Sequence, residues 1–256
     1  MQKNFLAEHI YGSSLRLFIN TELGCASACS YCYLPVEGFP VNASRSGTSR
    51  KSAQQILTEL EQDERVIRGT QGTVFSIGCF SECWDKRNRK ETLALIFGLL
   101  PFGNPIQIAT KRRISKHDLS DVIASPYWQK QLYVYISSSS VSDWQTFERG
   151  TATPKCRFES FEACRDFGIH VFLYIKPVIP NVTINDIAIY GAIMKQYRLT
   201  AIVGDQFEKG IDGLKSPISD SLTVETHSEV NKLREALSVY GRVYANSTDT
   251  LWKKEA

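Results

Sequence analysis

The segment "ELGCASACSYCYLP" (residues 22–35) holds three cysteines, Cys25, Cys29 and Cys32, in a C-x3-C-x2-C spacing, with Tyr31 and Tyr33 on either side of the last. Thiolates suit soft and borderline metals, so three on one short loop point to a metal centre. Three can hold three irons of a cubane [4Fe–4S] cluster and leave the fourth iron to an outside ligand, whereas such clusters otherwise take four cysteines. On the residues alone a second chemistry stays open, a tetrahedral zinc site completed by His9, Cys79 or Cys83. Zinc sites more often pair two C-x2-C units, and this sequence has no second pair. Cys156 and Cys164 fall eight positions apart on one expected helix, about two turns, a spacing that does not suit a second cluster. Seven cysteines in a 256-residue chain also make a poor disulfide framework, because the number is odd and the chain is long enough to bury its own core.

The elements that must carry this loop are legible as short apolar runs followed by helical patterns. Six candidate strands are "LRLFIN" (15–20), "TVFSI" (73–77), "IQIA" (106–109), "LYVYI" (132–136), "HVFLYI" (170–175) and "AIV" (201–203). Between them "SAQQILTELEQ", "ETLALIFGLL", "RFESFEACRDF" and "INDIAIYGAIMKQY" have helical periodicity, and Gly168 sits where a helix closes before a strand. Alternating strands and helices imply parallel pairing, hence a doubly wound sheet or a full or partial barrel. Every strand is followed by polar, glycine-bearing or cysteine-bearing residues, as in "GCFSECWDK", "TKRR" and "SSSSVSD". An α/β barrel with its active site at the strands' C-terminal ends requires this, and the count favours a six-stranded partial barrel.

A single domain is expected over 1–256, with a core at about 15–210 and a C-terminal helical extension at about 211–256. The sequence has no apolar run of the ~20 residues that cross a bilayer and no recognisable secretory signal, so a cytoplasmic protein is expected. A net charge of +3 does not by itself indicate nucleic acid. The basic runs "KRNRK" (86–90) and "KRR" (111–113) both follow strands, however, and would rim one opening. They favour a polyanionic substrate, nucleic acid or nucleotide, with Phe80 and Trp84 as stacking surfaces.

The cysteine spacing after the first strand resembles that of the radical S-adenosylmethionine superfamily, whose fold is a partial (β/α)6 TIM-type barrel. The resemblance implies a [4Fe–4S] cluster on Cys25, Cys29 and Cys32 with S-adenosylmethionine on the open iron. It also implies a 5′-deoxyadenosyl radical that abstracts hydrogen from a substrate, and an electron donor such as flavodoxin or ferredoxin. Over most of the chain the sequence is most similar to the spore photoproduct lyase-like branch. The segments that carry this are "CSYCYL", "SIGCFSECWDKRNRKETLALI", "IATKRRIS" and "RFESFEACRDFGIHVFLYIKPVIPNVTINDI".

By that resemblance Cys79 matches a hydrogen-atom donor at the end of the second strand, with Cys83 as a competing candidate, and Tyr31 and Tyr33 match the tyrosines of the relay. Lys111 matches a lysine on the cofactor carboxylate, and Ser137 a polar residue on the cofactor. Glu148, Arg149 and Arg157 are further charged candidates of a kind that is usually solvated. Only 24 residues precede Cys25, where the lyase carries a larger N-terminal part, so repair of spore photoproduct itself is not expected. Modification of a peptide or small metabolite is the alternative enzyme reading, and a zinc-bearing nucleic-acid binding module the non-enzymatic one.

Overall fold

The structure is a computed structural model that describes residues 8–35, 37–42, 48–205, 209–210, 213–214 and 228–252. Eight strands form one sheet: β1 (Ile10–Gly12), β2 (Arg16–Ile19), β3 (Val74–Ile77), β4 (Ile106–Thr110), β5 (Leu132–Ser137), β6 (His170–Ile175), β7 (Ala201–Val203) and β8 (Val243–Tyr244). They lie side by side in chain order. All neighbours from β2 to β8 are parallel, and β1 adds to the edge of β2 in antiparallel fashion.

That order settles the alternative left by the alternation of elements. A doubly wound sheet reverses direction at a switch point; here each crossover adds the next strand on the same side, as a barrel winds. β1 and β8 remain edges, so the described sheet is an open, partial barrel. The six expected strands are present, and the sequence reading did not single out β1. The segment expected as a helical extension supplies β8 to the sheet, while residues 215–227 lie outside the described residues.

The two-residue period of the strands separates two faces. Leu17, Ile77, Ile108, Val134, Leu173 and Val203 point outward into one core shared with the helices. Those helices are α1 (Ala53–Glu61), α2 (Arg89–Leu99), α3 (Lys116–Ala124), α4 (Pro154–Phe158), α5 (Ser160–Asp166), α6 (Ile187–Tyr197) and α7 (Ser228–Ser238). α1 and α3 begin with reciprocal capping boxes, Ser52 with Gln55 and Ser115 with Asp118, which satisfy amide groups that a helix start leaves unbonded. Gly168, at φ +65°, ends the run after α5 as its position in the sequence predicts. No helix among the described residues is long and apolar enough to cross a membrane.

The opposite, inner face is aromatic and polar. Along it Phe18, Ser76, Gln107 and Tyr133 stand in register on successive strands, and one step higher Ala109, Tyr135 and Phe172 do the same. Tyr135 and Phe172 stack at 5.2 Å.

Candidate metal and cofactor site

β2 runs into the cysteine loop through residues that bind it to neighbouring strand ends. Asn20 Oδ1 accepts the Phe80 amide at 2.7 Å, and the Gly24 amide donates to Phe80 O at 2.9 Å. Gly24 has φ +115°, and a Cβ there would lie 2.9 Å from both Pro40 and Thr48, so only glycine turns the chain into the loop. The Cys25 amide then donates to Pro40 O at 2.9 Å, and the Cys32 amide to Cys29 O at 3.1 Å. Ala28–Cys29 forms a short antiparallel ribbon with Glu148–Arg149, in which Cys29 stands opposite Glu148.

Cys25, Cys29 and Cys32 are thus three half-buried, unoxidised thiols on one loop at the C-terminal end of the sheet. Burial pushes all three thiols up, Cys29 to about 12. Among the described residues no three His, Cys, Asp or Glu side chains converge as ligands of one ion do. A cubane makes no such demand, since each thiolate takes a different iron, so this donor set fits three irons of a cluster. Two fourth ligands named for zinc are engaged elsewhere. His9 Nδ1 lies 2.6 Å from Asn20 O and Nε2 3.2 Å from Ser49 Oγ, and Cys83 is buried in the helix-side core with Sγ 3.6 Å from Ala109 O.

Lys111 follows β4 and turns back over the loop, with Nζ 5.6 Å from the centre of the Tyr31 ring. Burial depresses its ammonium, but the charges of Cys29, Glu148 and Glu82 outweigh this and hold its pKa above the ordinary lysine value. Glu82 locks the ends of β3 and β4 together: Oε1 accepts from Thr110 Oγ1 at 2.5 Å and Oε2 from the Lys111 amide at 2.9 Å.

Ser137 ends β5, and its carbonyl accepts from Arg157 Nη1 at 2.7 Å. Glu148 and Arg157 are not solvated: they form a fully buried pair at 2.6 Å, and the Tyr31 hydroxyl donates to Glu148 Oε1 at 2.6 Å. Arg149 is exposed.

The two tyrosines beside Cys32 therefore part company. Tyr31 is tied to Glu148, while the Tyr33 hydroxyl donates to the Cys79 carbonyl. Tyr11, on the unforeseen β1, hydrogen-bonds the Cys79 side chain. Burial pushes the Cys79 thiol up to about 11, against the opposing pull of Arg16, Tyr11 and Lys176. Cys79 is half-buried at this opening, whereas Cys83 points into the core behind it. The preceding Gly78 is forced by the same contact, because a Cβ there would stand 2.5 Å from Cys83 Cβ.

Two expectations about the rim are corrected. Trp84 is 2% exposed within the main core, and Phe80 is packed among Tyr11, Tyr33 and Phe39, so neither offers a free stacking face. The basic runs are also largely neutralised within the fold: Arg87 pairs with Glu22 and Asp85, Arg89 with Asp118, Arg112 with Asp85 and Arg113 with Glu159. Lys86 and Lys90 are exposed. Clusters of like charge along a sequence say nothing of the carboxylates that folding brings to them.

No protein-family model matches the chain. Over 175 residues, 66% of this chain, it is 25% identical to uncharacterized proteins of Mycobacterium bovis and Mycobacterium tuberculosis, and it spans about half (51%) of their length. Among solved structures, a cysteine-to-serine variant of spore photoproduct lyase matches with a TM-score of 0.62 and 14% identity over 88% of this chain and 74% of that one. A lyase variant with bound AdoMet and dinucleoside spore photoproduct matches at 0.63 and 12% identity, covering 96% of this chain and 80% of that one. Streptococcus suis SuiB bound to S-adenosylmethionine matches at 0.63 and 14% identity, over 95% and 53%. Strand order and these superpositions agree: the chain shares the open, partial α/β-barrel fold of spore photoproduct lyase and SuiB.

Proposed function

We propose that this chain is a radical S-adenosylmethionine enzyme in which Cys25, Cys29 and Cys32 hold three irons of a [4Fe–4S] cluster. The observation that carries the reading is the cysteine loop itself: three thiols on one turn, at the open end of the barrel where Lys111, Tyr33 and Cys79 also gather. When bound, the cluster and S-adenosylmethionine supply an electron, from a donor such as flavodoxin or ferredoxin, and a 5′-deoxyadenosyl radical that abstracts a hydrogen atom from the substrate.

The chain's own residues bind and orient. Lys111 stays cationic beside Cys29 and neutralises the cofactor carboxylate, and Ser137 lines the cofactor side of β5. Cys79 keeps its hydrogen on sulfur, since burial disfavours the thiolate, and a neutral S–H is the form that can quench a carbon radical. Tyr33, against the Cys79 backbone, and Tyr11, against its thiol, are the phenols placed to follow it; Tyr31 positions the loop through Glu148. A cytoplasmic setting suits free thiols of this kind.

For the substrate, the paired rim arginines and buried aromatics favour a compact molecule, a nucleotide or small metabolite, over a long polynucleotide track. The test is anoxic reconstitution: the protein should turn brown, hold about four irons, and release 5′-deoxyadenosine when reduced with S-adenosylmethionine. Colourless protein with one zinc and no cofactor cleavage would defeat the reading.

A further inference from the structure

Arg16 opens β2 on the inner face of the sheet, half-buried, and its guanidinium meets no carboxylate among the described residues. Arg87, Arg112 and Arg157, by contrast, each meet one. Arg16 Nε donates to Ser76 Oγ at 2.7 Å, and the guanidinium lies over the Phe18 ring at 4.7 Å. Its two Nη groups have no hydrogen-bond partner among the described residues.

A guanidinium only donates, so it sets the direction of everything bonded behind it. Ser76 Oγ accepts from Arg16 and gives its own hydrogen to Gln107 Oε1 at 3.0 Å. Gln107 Nε2 then donates to Tyr135 Oη at 2.8 Å and to Ser247 O at 3.2 Å, and Tyr135 Oη reaches Ser247 O at 3.0 Å. Three further strands' worth of scaffold, with the segment after β8, therefore hold Nε still on the inner face and leave the Nη pair unbonded. A partly desolvated charge without a counter-ion is costly, and a neutral side chain would serve Ser76 and Phe18 at less expense. Burial pushes Cys79, Tyr11 and Tyr135 up and Arg16 pulls each of them back, so its charge is felt by groups on β1, β5 and the loop after β3.

We infer that Arg16 is the anchor for an oxyanion of the substrate, a carboxylate or a phosphate monoester, received by the free Nη pair on the inner face of the sheet. Ser76 and Cys79 are three residues apart, at most roughly 10 Å of extended chain, which suits a compact acid. That this ligand is the substrate rests on the proposed radical enzyme; the anion site itself does not.

The probes are phenyl phosphate and phenylacetate, titrated calorimetrically into the reconstituted protein at low salt. At least one should saturate a single site, and the preferred probe distinguishes phosphate from carboxylate. Arg16→Gln, which can still donate to Ser76, should weaken that binding about 10- to 100-fold, the span expected for a hydrogen bond to a charged group. Arg16→Lys should fall between the two. In the unaltered protein, bound probe should slow modification of Arg16 by phenylglyoxal, read by mass spectrometry, which needs no variant to fold. The inference is overturned if neither probe binds at millimolar concentration, if folded Arg16→Gln binds as well as the parent, or if the probe gives Arg16 no protection. Absent iron loading or deoxyadenosine release, with anion binding intact, would instead count against the radical enzyme alone.

Discussion

Replacing Arg157 with methionine should strand a carboxylate in the interior. Glu148 and Arg157 are both fully buried, 2.6 Å apart. Arg157 also donates to Ser137 O at 2.7 Å, Thr151 Oγ1 at 3.0 Å and Ala152 O at 3.1 Å. Glu148 Oε1 accepts from the Tyr31 hydroxyl at 2.6 Å and the Ser139 amide at 3.0 Å. Removing one partner of such a pair costs about 3–5 kcal/mol, because the surviving charge is left uncompensated. Against a total of roughly 5–15 kcal/mol for a folded domain, that is a large share. The loss should reach the proposed cluster loop, since Cys29 stands opposite Glu148 in the short ribbon. Urea unfolding followed by circular dichroism, together with iron per chain after reconstitution, reads both effects: Arg157→Met should lose about 3–5 kcal/mol and load less iron. Glu148→Gln combined with Arg157→Met leaves no buried charge, and should be more stable than Arg157→Met alone. A single-variant loss below about 1 kcal/mol, the range of an exposed ion pair, would refute the argument.

Three other outcomes follow from the same geometry. Gly78→Ala must place a Cβ 2.5 Å from Cys83 Cβ at φ +88°, so it should lower the unfolding free energy read from urea titration by at least the ~1–2 kcal/mol of a left-handed L-residue. Cys79→Ala should still release 5′-deoxyadenosine but yield altered or trapped products by mass spectrometry; an unchanged product would remove Cys79 from the mechanism. Burial lowers the pKa of His9, only partly offset by its hydrogen bond to the Asn20 carbonyl. The unfolded chain therefore takes up that proton first, and its stabilising contribution, full above the unfolded value of about 6.5, is lost as pH falls through the folded pKa. Urea midpoints at successive pH values should show this decline, and His9→Gln should flatten it; an unaltered slope would dismiss His9 as its source.

What could be read directly from the amino-acid order was local in origin. The alternation of apolar residues announced six strands, and the polar ends of those strands announced which edge of the sheet would hold chemistry. The three cysteines pointed to a metal loop because eight consecutive positions contain all three thiols. β1 escaped notice at three residues, too short for a period to register, although it brings Tyr11 to Cys79.

Folding alone decided which charges remain available. The run at 86–90 is basic in sequence, yet Arg87 closes on Glu22, 65 positions away, and Arg112 on Asp85, 27 positions away. Arg157, one charged helix residue among many in the sequence, becomes half of a buried pair, while Arg16, unremarked in a strand, is left facing the barrel without a counter-ion among the described residues. The physical reason is common to all four: side-chain type is written at each position, but the work a charge can do depends on the distance to its nearest opposite charge and on the water between them, and both are properties of the packed chain.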